Sequence, residues 1–334
     1  MKLVIPMAGR GTRLRPHSLT VPKPLVSVAG KPIVQRLVED LAAACDDRIS
    51  EIAFIIGDFG EEIESKLKAL AEKMGAKGSI YQQEEKLGTA HAIMCAKESI
   101  NGSVIIALAD TLFQTDFSLD TNAEGSIWVQ RVANPSAYGV IQLNEEGIVS
   151  KFIEKPQVFV SDLAIVGIYY FKEADLLKKE LQYLLDNDIR EQGEYQLTSA
   201  LENMKQKGVR FQTHTIQEWL DCGNKKAVIY ANRRILEIKP DAATIAEDVD
   251  IENATIIPPC YIGKGTVIKN SVIGPYVSVG KQSHIESAVI VNSIVQNHSR
   301  IKNVVLENSM IGNHVEYVAQ STKLSLGDFS NLLQ

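Results

Sequence analysis

The run Met7-Ala8-Gly9-Arg10-Gly11-Thr12-Arg13-Leu14-Arg15-Pro16, followed by Pro22-Lys23-Pro24, combines glycines and cations at a spacing suited to holding an anion. Gly9 and Gly11 let backbone N–H groups close on phosphate oxygens with no Cβ in the way. Seven cations, from Lys2 to Arg36, precede the first acid, Glu39, whereas the whole chain carries a formal charge of −6. Positive charge gathered at one end of an acidic chain predicts a polyanionic ligand bound at one place. Two familiar phosphate loops are excluded: no Gly-Lys-Ser/Thr completes a Walker loop, and Leu14 stands where the dinucleotide fingerprint needs its third glycine.

The elements that must position this loop follow from periodicity. Apolar runs at 3–6, 52–56 and 104–108 predict buried strands, another begins at Ile80, and the patterns over 32–45 and 60–74 predict amphipathic helices. Strands and helices in this alternation predict an α/β fold with a mostly parallel sheet, binding ligands at the carboxyl ends of its strands. Asp110 follows Ala107-Leu108-Ala109 at such an end, poorly placed for packing and well placed for a hard cation, although a merely solvated aspartate fits the same position. From 126 to 171 the segments alternate more closely, which predicts a β insertion, and helices follow at 174–185, 195–207 and up to about 238.

Beyond 238 the pattern changes. Aliphatic residues recur at 262, 268, 273, 279, 285, 290, 295, 301, 306 and 311, so that three steps make 17, 16 and 16 residues. Neither a strand period of two nor a helical period fits, whereas a coil with three short flat sides does. Ile262-Gly263-Lys264-Gly265-Thr266 and Ile273-Gly274-Pro275-Tyr276-Val277 have the form of a hexapeptide repeat.

With 334 residues, 45% of them hydrophobic and 23% charged, the chain reads as a soluble globular protein of two domains. No apolar stretch is long enough to span a bilayer and no leader precedes the first strand, so a cytoplasmic protein without membrane contact is expected. Cys45, Cys95, Cys222 and Cys260 show no Cys-x-x-Cys spacing and read as free thiols, and a pI near 5.6 argues against nucleic acid.

The glycine loop with its downstream Pro-Lys-Pro resembles the signature of the sugar-1-phosphate nucleotidyltransferases, departing at Ala8, where many members carry glycine. Further segments resemble that family in the same order: Gln83 to Ala92 with Leu87-Gly88-Thr89-Ala90-His91, Ala109-Asp110, Tyr138-Gly139-Val140, Glu154-Lys155-Pro156, Val166-Gly167-Ile168, Gly193-Glu194-Tyr195-Gln196-Leu197-Thr198 and Trp219-Leu220-Asp221-Cys222-Gly223. The resemblance implies a Rossmann-like mixed-sheet nucleotidyltransferase domain over 1–238 and a short left-handed parallel β-helix over 239–334. It also implies an enzyme that joins a nucleoside triphosphate, dTTP or UTP, to a sugar 1-phosphate, glucose 1-phosphate first, releasing pyrophosphate.

By the same resemblance Arg13 and Lys23 are catalytic, and Ala8, Gly9, Gly11, Thr12, Arg13, Gln83 and Gly88 bind the nucleotide. Gln83 would meet the base edge with both its amide oxygen and its nitrogen. Gly139, Glu154, Lys155, Gly167 and Glu194 would take the sugar phosphate, and Asp110 and Asp221 would hold Mg²⁺. The thiol of Cys222 beside Asp221 would make the site sensitive to oxidation. Two other readings stay open, a mannose-1-phosphate guanylyltransferase and a non-catalytic regulatory protein. An acyltransferase in the β-helix is disfavoured, because its few coils leave little room for an acyl-CoA groove and His284, His298 and His314 read as solvent-facing coil residues. The β-helix is expected to mediate homo-oligomerisation or regulation.

Overall fold

The computed structural model describes residues 1–9, 11–45, 47–114, 119–320 and 325, so Arg10 of the glycine loop lies outside the described residues. Two compact units form, one from Met1–Val26 with Lys31–Ala227 and the other from Ser27–Gly30 with Val228 onward.

In the first unit the strands β1 (Lys2–Pro6), β2 (Glu51–Ile56), β3 (Lys77–Gln82) and β4 (Val104–Ala107) pair in parallel in the order β4-β1-β2-β3. Leu3, Val4, Ile5, Ile52 and Phe54 are fully buried. Continuous apolar runs of this kind suit strands covered on both faces. Helices α1 (Ile33–Ala44), α2 (Glu61–Lys73) and α3 (Thr89–Cys95) fall in the connections between them.

The expected β insertion makes the sheet mixed. β6 (Gly125–Arg131), β7 (Gly139–Leu143), β8 (Val149–Glu154) and β9 (Leu163–Phe171) follow the short β5 (Thr111–Gln114). β9 runs antiparallel to β4 and pairs with β6 and β7, which extends the sheet to β8-β7-β9-β4-β1-β2-β3. The mostly parallel sheet read from the first alternation is thus parallel through its first four strands and turns antiparallel in the insertion, giving the mixed sheet that the resemblance implies. After helices α4 (Ala174–Asp186) and α5 (Leu197–Gln206), β10 (Phe211–Thr215) adds to β6, while β11 (Glu218–Asp221) leaves the main sheet to pair with β5.

The second unit is a parallel β-helix preceded by most of α6 (Lys225–Ile238). Successive coils stack Ile268, Ile285 and Ile301 in one register, Ile273, Ile290 and Leu306 in a second, and Ile262, Val279, Val295 and Ile311 in a third. Most of these are fully buried, one inward stack for each flat side, as the five- and six-residue spacing predicts. Between sides the chain turns through left-handed residues, Asn270, Asn292 and Asn308 among them, a conformation that asparagine tolerates better than most side chains. His284, His298 and His314 are exposed, and the rings of the last two stack 4.8 Å apart.

Ser27–Gly30, just past Lys23 in the chain, is held inside this second unit. Asn232 Oδ1 accepts from the Ala29 amide at 2.9 Å and from Ser278 Oγ at 2.6 Å, and Gln296 Nε2 donates to the Ser27 carbonyl at 3.0 Å.

Candidate active site

The glycine loop leaves β1 at Pro6 and is pinned at once, by the Met7 amide donating to the Ile55 carbonyl at 2.8 Å. Gly11 takes φ +57°, and a Cβ there would stand 2.9 Å from Lys23 Cβ and 3.3 Å from Ser18 Cβ. Glycine is required at this position for both conformation and close approach. Its carbonyl accepts from Ser18 Oγ and from the Leu14 amide, closing the 3₁₀ turn Thr12–Leu14. Leu14 is fully buried and anchors the turn, so Arg13 borders the cleft. A second short turn, Lys23–Leu25, buries Lys23, whose Nζ donates to Asp110 Oδ2 at 2.5 Å.

Asp110 and Asp221 meet through the β5–β11 ladder. Asp221 sits opposite Thr111 in that antiparallel register, one residue past Asp110, and the Cys222 amide donates to the Asp110 carbonyl at 2.9 Å. Burial raises the Asp221 carboxyl above its usual range, the charge of Asp110 pushes it further, and Lys23 and Arg13 pull the other way. A Cβ at Gly223 would lie 3.0 Å from one Asp221 oxygen and 3.2 Å from an Arg13 nitrogen. Arg13, Lys23, Asp110 and Asp221 thus form one cluster. Cys222 is wholly buried and burial pushes its thiol well above the usual range, so the oxidation sensitivity expected of it is not supported.

A cleft of about 370 Å³ runs from this cluster along the loop, lined by Ala8, Gly9, Gly11, Thr12, Arg13, Lys23 and Asp110, and then by Gln83, Lys86, Gly88, Thr89 and Glu194. Gly88, at φ +113°, leads into α3, and a Cβ there would fall 2.4 Å from the Tyr195 carbonyl oxygen. Gln83 Nε2 lies 3.3 Å from the Gly88 carbonyl oxygen and 3.1 Å from His91 Nδ1. The amide nitrogen expected to meet the base is therefore engaged inside the protein, which leaves the amide oxygen.

Of the residues assigned to the sugar phosphate, Gly139, Glu154 and Lys155 are joined by their own contacts, whereas Glu194 lines the cleft on the Gln83 side and Gly167 lies by the segment that carries Asp110. Gly139 and Glu154 are cross-strand partners, Thr198 Oγ1 donates to Glu154 Oε2 at 2.9 Å, and Lys155 Nζ lies 3.2 Å from Glu154 Oε1. A Cβ at Gly139 would come within 3.1 Å of Glu154 Oε2. Gly167, at φ +95°, lies against Leu108 and accepts from its amide at 2.9 Å, bracing the segment that carries Asp110.

Residues 2–238 match the family model described as nucleotidyl transferase, and residues 241–318 match a GlmU-like C-terminal hexapeptide model. The chain belongs to the nucleotidyltransferase family. It is 31% identical to a glucose-1-phosphate thymidylyltransferase of Streptomyces antibioticus, over 90% of this chain and 88% of that one. A mannose-1-phosphate guanylyltransferase catalytic subunit beta of Danio rerio is 35% identical over 54% of this chain and 52% of its own. A solved putative glucose-1-phosphate thymidylyltransferase from Bacillus anthracis shares the fold with a TM-score of 0.59 at 22% identity, over 70% of this chain and 94% of that one.

In this nucleotidyltransferase the two carboxylates suit a divalent cation, because burial and the charge of Asp110 both disfavour the ionised form of Asp221, a penalty that a cation between them would relieve. Among the described residues no group of three His, Cys, Asp or Glu side chains could hold an ion, so the remaining coordination positions would go to phosphate oxygens and water. No helix among the described residues is long and apolar enough to cross a membrane. Sequence reasoning missed two supports of Asp221. The Tyr138 hydroxyl stands beside it, its pKa raised by burial and then by the Asp221 charge, and Trp219 packs against the Tyr138 ring with centroids 4.8 Å apart. Both lie within the segments quoted for the resemblance, but nothing in their spacing pairs them.

Proposed function

We propose that this nucleotidyltransferase transfers the nucleotidyl group of dTTP or UTP to glucose 1-phosphate. A phosphate oxygen of the sugar attacks the α-phosphorus, the bond from that phosphorus to the bridging oxygen breaks, and pyrophosphate leaves. The observation that carries this reading is the convergence of Arg13, Lys23, Asp110 and Asp221 at one part of a cleft that Gln83 borders elsewhere. An anionic phosphate nucleophile needs no general base, so alignment and charge neutralisation suffice. In this reading Lys23 neutralises the α-phosphate and Arg13 the departing pyrophosphate, while the loop amides at Gly9 and Gly11 hold the triphosphate. Bound by Asp110 and Asp221, a divalent cation, Mg²⁺ here, supplies Lewis-acid neutralisation of the same phosphates. Glu154 and Lys155 take the sugar hydroxyls and phosphate, with Glu194 assisting from the cleft.

Base and sugar choice rest on the resemblance of the Gln83 segment and on the thymidylyltransferase relative that spans most of the chain. A guanylyltransferase reading draws on the shorter match to a mannose-1-phosphate enzyme, because guanine also offers a ring N–H to an amide oxygen. The non-catalytic reading is disfavoured by the presence of all four clustered residues. Catalysis is assigned to 1–238 and self-association to the β-helix of 239–334, a division supported by family matches that end at 238 and resume at 241. Pyrophosphate release from dTTP, UTP, GTP and ATP against glucose and mannose 1-phosphates tests the whole reading. Turnover confined to GTP with mannose 1-phosphate would replace it.

A further inference from the structure

The two ends of a glutamine amide have nearly the same shape, so what surrounds Gln83 decides which end a ligand meets. The Gln83 backbone is fixed just past β3 by its amide donating to the Ile56 carbonyl at 2.8 Å, and the residue is only 6% exposed. One neighbour of the amide, the Gly88 carbonyl, can only accept, and the first turn of α3 holds it in place through the Ala92 amide at 3.0 Å. The other is His91 Nδ1, which accepts when the neutral ring carries its proton on Nε2. Both amide hydrogens of Gln83 then point at protein acceptors, and its Oε1 has no hydrogen-bond partner among the described residues.

We infer that His91 is a positioning residue that locks the Gln83 amide with its oxygen available to the base, so the site selects bases carrying a ring N–H beside a carbonyl. The inference rests on the nucleotide-binding reading above and deepens it. Thymine, uracil and guanine present such an N–H. Cytosine in the same pose sets the lone pair of N3 against the amide oxygen, a mismatch of two acceptors. The Gly88 carbonyl, which can only accept, sets the amide orientation but holds its hydrogen at 3.3 Å; His91, in the tautomer that leaves Nδ1 unprotonated, supplies the second and shorter contact, 3.1 Å, that holds the amide there.

The test compares the full-length protein with His91→Phe, which keeps a ring but loses the acceptor, and His91→Asn, whose side-chain oxygen can accept near the position of Nδ1. Calorimetric binding of dTTP and of CTP gives a Kd ratio within each protein, so a partly unfolded preparation affects both nucleotides alike. Turnover with glucose 1-phosphate is measured alongside. The expected result is a dTTP preference over CTP that falls about tenfold in His91→Phe and stays within about threefold of wild type in His91→Asn, with the KM for the sugar phosphate unchanged. An unchanged ratio in His91→Phe, an equal loss in both variants, or a wild type that prefers CTP overturns the inference. A wild type that prefers dTTP in binding but releases no pyrophosphate overturns the catalytic reading alone, and the binding ratios still decide the role of His91.

Discussion

Lys23 Nζ lies 2.5 Å from Asp110 Oδ2 across 87 residues of chain, and the lysine is the more buried partner, with its side chain 9% exposed against 36% for the aspartate. The cation assigned to the α-phosphate and a carboxylate assigned to the metal thus neutralise each other before either meets a ligand. On the proposed roles, binding of the metal nucleotide would exchange this one pair for two, carboxylate with metal and lysine with phosphate. The cluster therefore need not carry an uncompensated charge before substrate arrives.

Asp110→Asn and Asp221→Asn should each lower turnover by at least about 100-fold. Breaking a fully buried ion pair costs about 3–5 kcal/mol, but water reaches Asp110 and keeps the cost of Asp110→Asn nearer ~1 kcal/mol, a drop in Tm of about 2–4 °C. Pyrophosphate release and a thermal melt on the same samples check both parts. Near-normal turnover in either variant removes that residue from the metal site.

For Gln83→Ala, loss of a buried acceptor facing the base should erode the preference for dTTP or UTP by about 1–3 kcal/mol, roughly 5–150-fold in kcat/KM. The apparent affinity for the sugar phosphate should hardly move. If the order of preference among the four triphosphates survives in Gln83→Ala, another residue reads the base.

Two glycines of the cleft should fail differently. At Gly88 a methyl meets the Tyr195 backbone at 2.4 Å with φ at +113°, so Gly88→Ala should lower Tm as well as activity. Among the described residues nothing lies within 4 Å of a Cβ at Gly9, which borders the cleft, so Gly9→Ala should leave Tm in place and raise the KM for the nucleotide. Equal stability losses in the two variants would contradict this distinction.

The Glu51 side chain, 12% exposed, accepts from Ser79 Oγ at 2.6 Å and Ser99 Oγ at 2.9 Å and pairs with Lys2 at 3.5 Å. Burial pushes its carboxyl up, but these hydrogen bonds and the charges of Lys2 and Lys77 outweigh it, leaving the pKa below the ordinary 4.5. The folded state thus gains stability from the ionised carboxyl above the unfolded pKa and loses it as pH falls through the folded value. Glu51→Gln should be less stable than wild type at pH 7, with the difference shrinking as the pH falls below the ordinary carboxyl value of 4.5 and through the lowered folded value. A gap that stays constant across this range in denaturant titrations would show that ionisation contributes nothing there.

Self-association through the β-helix has a specific candidate surface. Val272, Val289 and Val305 stand in register on successive coils, and Val289 and Val305 are 39% and 79% exposed. Val305→Glu should lower the sedimentation coefficient while leaving the Tm of the protein nearly unchanged. Identical sedimentation of wild type and variant would place any assembly elsewhere.

Short-range chemistry was legible in the sequence. The loop glycines, the apolar runs of β1, β2 and β4 and the inward aliphatics of the β-helix are set by local conformation and by periodicity, which neighbouring residues encode without reference to the rest of the chain. The mixed character of the sheet was reached only through the family resemblance and not through periodicity, because an antiparallel β9 beside β4 is chosen by pairing between distant segments. Tyr138 beside Asp221, and the fixing of Ser27–Gly30 by Asn232 and Gln296, were invisible for the same reason. The orientation of Gln83 shows the division most sharply. Its identity marks it as a candidate base reader, but which end of the amide is free depends on where the Gly88 carbonyl and the His91 ring come to rest, and only packing of the folded chain decides that.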